Sequence, residues 1–464
     1  MLKNQFHDIL PGSGIREIYE DSKREYEQVL GEGYALEAQA MGLLTEAVEA
    51  GQGELVVFNW NGFAASDYVY VENPETVPMN LERTWDGKGI LYVKDVPALG
   101  YRTISDAGES GARGFLQVAT DTVETEDLKV TLNKAGQFTS VYDKKEQREL
   151  LSPGQCGNRL VTYEDRPHNY DAWDINDYYT LKAWPLDEEA EISILEQNAM
   201  RAVLRVQRKY LDSTIVQDLI FYHGGTRIDV ANHVDWKEKN ILLRSLIPVD
   251  IHAEQASYEI QYGNVQRSTY YNTSWEQAKF EVCAHKWIDL SEDGYGVSVL
   301  NDCKYGYDIH DGVIGLTMLK SAVYPNPDAD KEHHEFAYSI VPHRGGWREN
   351  ETIQKAYLFN NPLTARKKEQ PGGTLPGRFS FAEIDRKNVV IEVLKMAEDG
   401  DGMILRLYEA FNRRTHATLR FAELVRYAAE CDMLEQEENI LQAEGSVLRL
   451  IFEPYEIKTL KIHF

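Results

Sequence analysis

Cysteine is scarce in this chain: four in 464 residues, at positions 156, 283, 303 and 431, never in C-x-x-C spacing. That scarcity excludes a disulfide scaffold and a Cys-ligated zinc centre, and leaves reduced, mostly buried thiols as the expectation. Long apolar runs are also missing. None approaches the roughly 20 residues that a membrane helix needs, so no membrane partner is expected. The opening MLKNQFHDILPG lacks the basic, apolar and small-residue regions of a secretory signal, which makes a cytoplasmic location the expectation. Basic residues are in deficit, with 49 Lys and Arg against 75 Asp and Glu and a net charge of −26. Nucleic acid is excluded on that ground, because binding it rests on cations that neutralise phosphates. A neutral ligand such as a sugar is unaffected.

What is present is an ordinary globular composition, 43% hydrophobic and 27% charged, with 27 tyrosines and 8 tryptophans. Aromatic faces with a polar edge suit both sandwich cores and sugar contacts, and most of these are expected in cores. The length exceeds one ordinary core and suggests about three units.

Residues 1–52 read as helical. Ser13 is placed to cap a helix on which Ile15, Ile18, Tyr19, Tyr26, Val29 and Leu30 recur at helical spacing. Gly31 and Gly33 interrupt it, and a second helix carries Leu36, Ala40, Leu43, Leu44, Ala47 and Val48 on one face. Together they resemble part of a bundle whose other member lies elsewhere. From Glu54 the character changes, and LVVFNWNGF and DYVYVENP read as strands of a small β domain over 54–105. The stretch 106–114 has loop composition. Residues 115–355 signal antiparallel strands nearly throughout, including IVQDLIFYHGGTRIDVANHVDW, where Gly224-Gly225 predicts a two-residue hairpin turn. No strand–helix–strand rhythm occurs, so a large sandwich is expected rather than a parallel sheet. The linker EQPGGTLPG (369–377) precedes a last β unit over 375–464. The fold class is thus mainly β, with an α-helical N-terminal segment followed by antiparallel β-sandwich domains.

Four groups of residues invite chemistry. His7-Asp8 is a His–Asp pair ahead of a turn; imidazole and carboxylate can hold metal or sugar hydroxyls, and equally can be a surface pair. Asp171, Trp173, Asp174 and Asp177 form a sugar-binding strip, a calcium-like acidic loop, or turn-capping carboxylates beside a packed Trp173. Lys304 and Tyr305, in NDCKYGYD, can reach substrate from a loop or serve structure. His333, His334 and His343 could be grouped as a metal cluster, although their surroundings favour an exposed turn.

NQFHDILPGSGI resembles the stretch that follows the catalytic domain in family 38 α-mannosidases of the bacterial and cytosolic type. The likeness continues through EDRPHNYDAWDINDYY (164–179), FEVCAHKWIDLSEDGYGVSVLNDCKYGYDI (280–309), LTMLKSAVYPNPDADKEHHEFAYSIVPHRGGW (316–347) and EPYEIKTLKI (453–462). The resemblance implies that His7 ligates an active-site zinc, or another divalent cation, whose other ligands come from an N-terminal α/β barrel. It also implies that Asp8 contacts mannose hydroxyls and that the Lys304-Tyr305 loop faces the barrel. The family's nucleophile and general acid are barrel aspartates, and no region here corresponds to that barrel, so no catalytic residue is expected within these residues. The implied function is the C-terminal region of a metal-dependent retaining α-mannosidase, with a mannose-containing glycan and the barrel as partners and homo-oligomerisation left open. The alternative is a β-sandwich module that binds carbohydrate or protein without turnover.

Overall fold

A computed structural model describes residues 2–106, 114 and 116–464. The expected loop at 106–114 lies almost wholly outside the described residues. Two compact units divide the chain: Met1–Ala40 with Arg113–Tyr258 and Gln266–Asn350, and Met41–Ala112 with Glu259–Val265 and Glu351–Phe464. The architecture is antiparallel β with one long N-terminal helix.

That helix, α1, runs unbroken over Arg16–Ala47, where two helices were expected. Gly31 and Gly33 do not break it because neither takes a positive φ and both face open space. Each costs only the intrinsic glycine penalty of about 1 kcal/mol, which good helix formers on either side absorb. Ser13 does not cap it either. The helix starts at Arg16, and among the described residues the buried Ser13 hydroxyl has no hydrogen-bond partner. One row of α1 stays uncovered, with Val29, Leu36 and Leu43 each exposed at seven-residue spacing.

The first unit is built on a six-stranded and a nine-stranded sheet. Four strands of the larger sheet matter below: β1 (Arg201–Tyr210), β2 (Ser213–Tyr222), β3 (Ile228–Asp235) and β4 (His333–Arg344), adjacent in that order. Along β3 the alternation of side chains buries Ile228, Val230, Asn232 and Val234 and leaves Ala231, His233 and Asp235 on the outer face. The β2–β3 hairpin forms, but pairing stops at Phe221 and Ile228, so its connection is longer than two residues. Only Gly225 has a positive φ there, and its N–H donates to Asp127 at 2.6 Å. An anchored wide loop therefore replaces the tight turn.

Between the two sheets lies a buried polar network. Gln217 on β2 donates to Asn232 on β3 at 2.9 Å, and the Tyr338 hydroxyl on β4 donates to Ser245 at 3.1 Å and also to Asn158. Ser245 belongs to the strand Ile241–Pro248 of the six-stranded sheet. Burial pushes the Tyr338 phenol up to about 12, which keeps it a neutral donor.

In the second unit a four-stranded and a five-stranded sheet share one apolar core that includes Val389, Leu405, Leu407, Leu419, Phe452 and Leu460. A separate four-stranded sheet holds Leu55–Asn59 and Gly100–Ile104 between Thr364–Lys367 and Arg378–Ser380. Met41 and Val48, at the end of α1, pack on Val56, Phe58 and Tyr101 of that sheet. The 369–377 linker thus joins two strands of a single sheet. At its middle, Thr374 and Leu375 donate to the free carbonyl of Ala47 and close the helix end.

The cysteines form no disulfide. Only Cys431 is buried, whereas Cys283 and Cys303 are exposed and Cys156 is half-buried. The expectation of mostly buried thiols is corrected. Cys283 lies on the edge strand of the six-stranded sheet, and Cys303 lies in a loop.

Candidate functional site

The segment ahead of α1 folds back on itself in short turns. The N–H groups of Ile9 and Leu10 both bond the Phe6 carbonyl, and Gly12 bonds that of Ile9. Gly12 takes a positive φ of 79°, which a glycine accepts without strain. Lys3 pairs with Glu25 on α1 and holds the start of the segment to the helix. His7 and Asp8 occupy the turn with exposed side chains, 72% and 52% open, and His7 Nε2 lies 3.6 Å from Asp8 Oδ1. The Phe6 ring packs 4.3 Å from the imidazole.

Behind this turn opens a cleft of about 1210 Å³, lined by Pro11, Gly12, Arg16, Tyr19, Lys320 and Asp330 among others. Tyr19 forms the joint between turn and helix: its hydroxyl accepts from the Gly14 N–H at 2.7 Å and donates to the Asp8 carbonyl at 3.3 Å. Partial burial pushes the Tyr19 phenol up, helped by the nearby carboxylates of Asp330 and Asp8. Arg16 faces Asp328 at 3.4 Å, and Lys23 faces Glu332 at 3.8 Å. The protein around Asp330 pushes its carboxyl up from the ordinary range, against the pull of His334 and Lys304. Lys320 pairs with the buried carboxylate of Asp165, which burial likewise raises. The cleft wall is thus a set of cation–carboxylate pairs on two sides, polar enough to bind hydroxyl groups.

Sequence reasoning did not reach Tyr19, Arg16, Lys320 or Asp330. Tyr19 looked like one more apolar position of a helix face, and nothing in DADKE distinguishes Asp330 from a surface acid.

The other candidates divide. Asp171 accepts from the N–H groups of Val323 and Tyr324 at 2.7 and 3.1 Å, and is therefore a turn-capping carboxylate. Asp174 bonds the next residue's N–H at 3.0 Å, and Asp177 opens a short 3₁₀ turn. Trp173 does not pack into a core; like Tyr170 it is exposed, on a segment of turns and bends. Lys304 sits 4.5 Å over the Phe336 ring, and Tyr305 is exposed with an edge-to-face contact to His285 at 5.0 Å. Both occupy the loop after Tyr295–Asn301, where the Lys304 N–H bonds Asn301 at 2.8 Å. His333, His334 and His343 do not gather and do not form a turn. They lie on the single strand β4, whose ten-residue span from His333 to His343 corresponds to about 33 Å. His343 is buried against Asp289 at 2.8 Å.

Residues 123–328 match the model of the glycosyl hydrolases family 38 C-terminal domain, 388–460 that of the family 38 C-terminal β-sandwich domain, and 1–44 that of the α-mannosidase middle domain. The chain belongs to glycosyl hydrolase family 38. The α-mannosidase 2C1 of Homo sapiens is 30% identical to it over 478 residues, covering 99% of this chain and 44% of that protein. The α-mannosidase G of Dictyostelium discoideum is 29% identical over 512 residues, covering 98% of this chain and 47% of that protein. The family 38 chain therefore spans under half the length of these relatives. In fold it is similar to an α-mannosidase from Enterococcus faecalis V583, with a TM-score of 0.81 at 16% identity over 100% of this chain and 62% of that one. The middle-domain match contains His7, Asp8 and Tyr19, so the turn and its joint to α1 belong to the family 38 region.

Proposed function

We propose that this chain is the C-terminal region of a metal-dependent, retaining α-mannosidase that releases terminal α-linked mannose from glycans or mannosides in the cytoplasm. The observation that carries the reading is the exposed His7-Asp8 pair in a turn whose Pro11 and Gly12 line the cleft, within the stretch matched as an α-mannosidase middle domain. One imidazole and one carboxylate suit zinc or another divalent cation chemically, but they supply only two donors, whereas a catalytic zinc takes three protein ligands. The remaining ligands, the nucleophile and the general acid are assigned to an N-terminal catalytic barrel. When bound, the cation would polarise and hold mannose hydroxyls.

In this scheme the chain's own residues bind and orient. His7 presents a ring nitrogen to the cation site, and Asp8 accepts from mannose hydroxyls beside it. Tyr19 fixes the backbone of that turn. Lys304 and Tyr305 are assigned contacts to more distant sugar units. The exposed apolar row of Val29, Leu36 and Leu43 on α1 supports a role in packing against a further domain.

The test is hydrolysis of an aryl α-mannoside by this chain alone and by the same chain joined to a family 38 barrel. No turnover is expected from the chain alone. The joined protein should turn over with added Zn²⁺ and lose nearly all activity as His7→Ala. Activity from the pure chain, or an active His7→Ala joined protein, would sink the proposal. A second reading, sugar binding without turnover, draws on the exposed Tyr170 and Trp173. It predicts saturable mannoside binding by the isolated chain that Trp173→Ala removes.

A further inference from the structure

The outer face of the nine-stranded sheet carries a group of side chains that the mannosidase reading does not use. On neighbouring strands β3 and β4, the antiparallel register sets His233 opposite Glu335 and Asp235 opposite His333. Alternation then brings His233, His333 and Glu335 to one face, while Val234 and Phe336 point into the core. One ligand atom from each of the three lies within 4.8 Å of the other two. We propose that His233, His333 and Glu335 form a binding site for a divalent transition-metal ion of the Zn²⁺ type, separate from the His7 turn.

The geometry is close to what such an ion needs. Ligands about 2.0–2.2 Å from a tetrahedral zinc stand roughly 3.3–3.6 Å from one another. His233 Nδ1 is 3.5 Å from Glu335 Oε1, and His333 Nε2 is 3.1 Å from the same oxygen. One edge of the triangle is therefore at ligand spacing and a second is about 0.2 Å short of it, while the third lies within 4.8 Å, so small side-chain rotations would complete the set. Two imidazoles and one carboxylate select zinc, cobalt, nickel or copper over magnesium and calcium, which prefer all-oxygen shells. Three protein donors leave one position for water. The fourth residue of this patch, Asp235, pairs with Lys237 at 2.8 Å.

A buried carboxylate also stands behind the site. The other ring nitrogen of His233, Nε2, faces Asp218 Oδ2 at 4.0 Å. Asp218, on β2, is buried and gripped by the Arg205 guanidinium of β1 through two bonds of 2.7 Å. At 4.0 Å this is an electrostatic approach; a small rotation of His233 would bring it to hydrogen-bond distance, where a carboxylate keeps the proton on Nε2 and turns the other lone pair toward a metal. All five residues stand on four adjacent strands of one sheet, so the donors are carried by a rigid backbone. Without a metal the His333–Glu335 contact is an ordinary histidine–carboxylate hydrogen bond and the His233 contacts, at 3.5 and 4.0 Å, are ion-pair approaches; the experiment separates that state from a metal site.

The probe is Zn²⁺ alone, titrated into the intact chain at neutral pH in competition with a chromophoric chelator. The background is His7→Ala, which removes the other candidate ligand. One saturable Zn²⁺ per chain is expected. His333→Gln and Glu335→Gln, both solvent-facing, should weaken it at least about tenfold, and Asp218→Asn by about 10- to 100-fold. Zn²⁺ should also raise the melting temperature of the His7→Ala chain but not that of the His233→Gln/His333→Gln double variant, a readout that checks folding as well. Absence of saturable binding in the His7→Ala chain, or undiminished binding in the folded double variant, overturns the site.

Discussion

Tyr19 holds Asp8 by its main chain and not by its carboxylate: the phenol donates to the Asp8 carbonyl and accepts from the Gly14 N–H. The side chains of His7 and Asp8 are thereby left to face outward on a backbone fixed to α1. Tyr19→Phe removes both bonds and keeps the ring. The expected result is a stability loss of about 0.5–1.5 kcal/mol, the net worth of ordinary hydrogen bonds. Hydrogen exchange at the Gly14 amide should accelerate, and an unchanged rate there would refute the joint.

The carboxylate of Glu409 is completely buried and accepts four bonds. Asn388 donates at 2.8 Å, and the backbone N–H groups of Phe411, Arg413 and Tyr455 donate at 2.8, 3.0 and 3.1 Å. It ties the Met403–Glu409 strand to two turns. Glu409→Ala leaves several buried donors without an acceptor, at about 1–3 kcal/mol for each group left unsatisfied. A stability loss of at least about 3 kcal/mol in chemical denaturation is expected; a loss under 1 kcal/mol would show that water replaces the carboxylate.

Asp187 accepts from Arg159 Nε at 2.9 Å and from Gln137 at 2.7 Å, and the Arg159 bond, ahead of all other influences, holds its carboxyl below the usual carboxylate range. A depressed folded-state value means that the contribution is present above about pH 4, the unfolded carboxylate range, and disappears as pH falls through the lowered value. Asp187→Asn should therefore be less stable than the parent at pH 7 and nearly equal to it at pH 2. A difference that persists at pH 2 would place the effect in packing instead.

Gly31 and Gly33 lie inside α1 with ordinary helical φ and open space where a Cβ would go. Gly31→Ala and Gly33→Ala should each stabilise the helix by about 0.5–1 kcal/mol. Destabilisation, read from thermal melting, would mean that the two glycines serve a close approach.

Much of the fold was legible because its signals are local. The apolar run LVVFNWNGF and the alternation in DYVYVENP predicted strands that form over Leu55–Asn59 and Ala65–Val71. The helical N-terminus was legible from periodicity. Its continuity was not, since a glycine reads as a breaker in sequence whether or not its φ is helical. The hairpin at Gly224-Gly225 was found but its loop was misjudged, because the Asp127 carboxylate that anchors it lies far away in the chain. The same limit applies to the cleft. His7 and Asp8 are adjacent and form a motif, whereas Asp330 and Lys320 reach that cleft only through the fold, and only the fold groups His233 with His333 and Glu335.

The polar network between the sheets of the first unit has a bearing on how the chain avoids misfolding. Apolar strands can slide past one another by two residues and still present a greasy face. Here Asn232 must meet Gln217, and Tyr338 must meet Ser245 and Asn158. A slipped strand would strand each of these groups in a dry interior, at about 1–3 kcal/mol for every orphan. Five residues thus act as a key cut into an otherwise featureless lock, disfavouring alternative pairings.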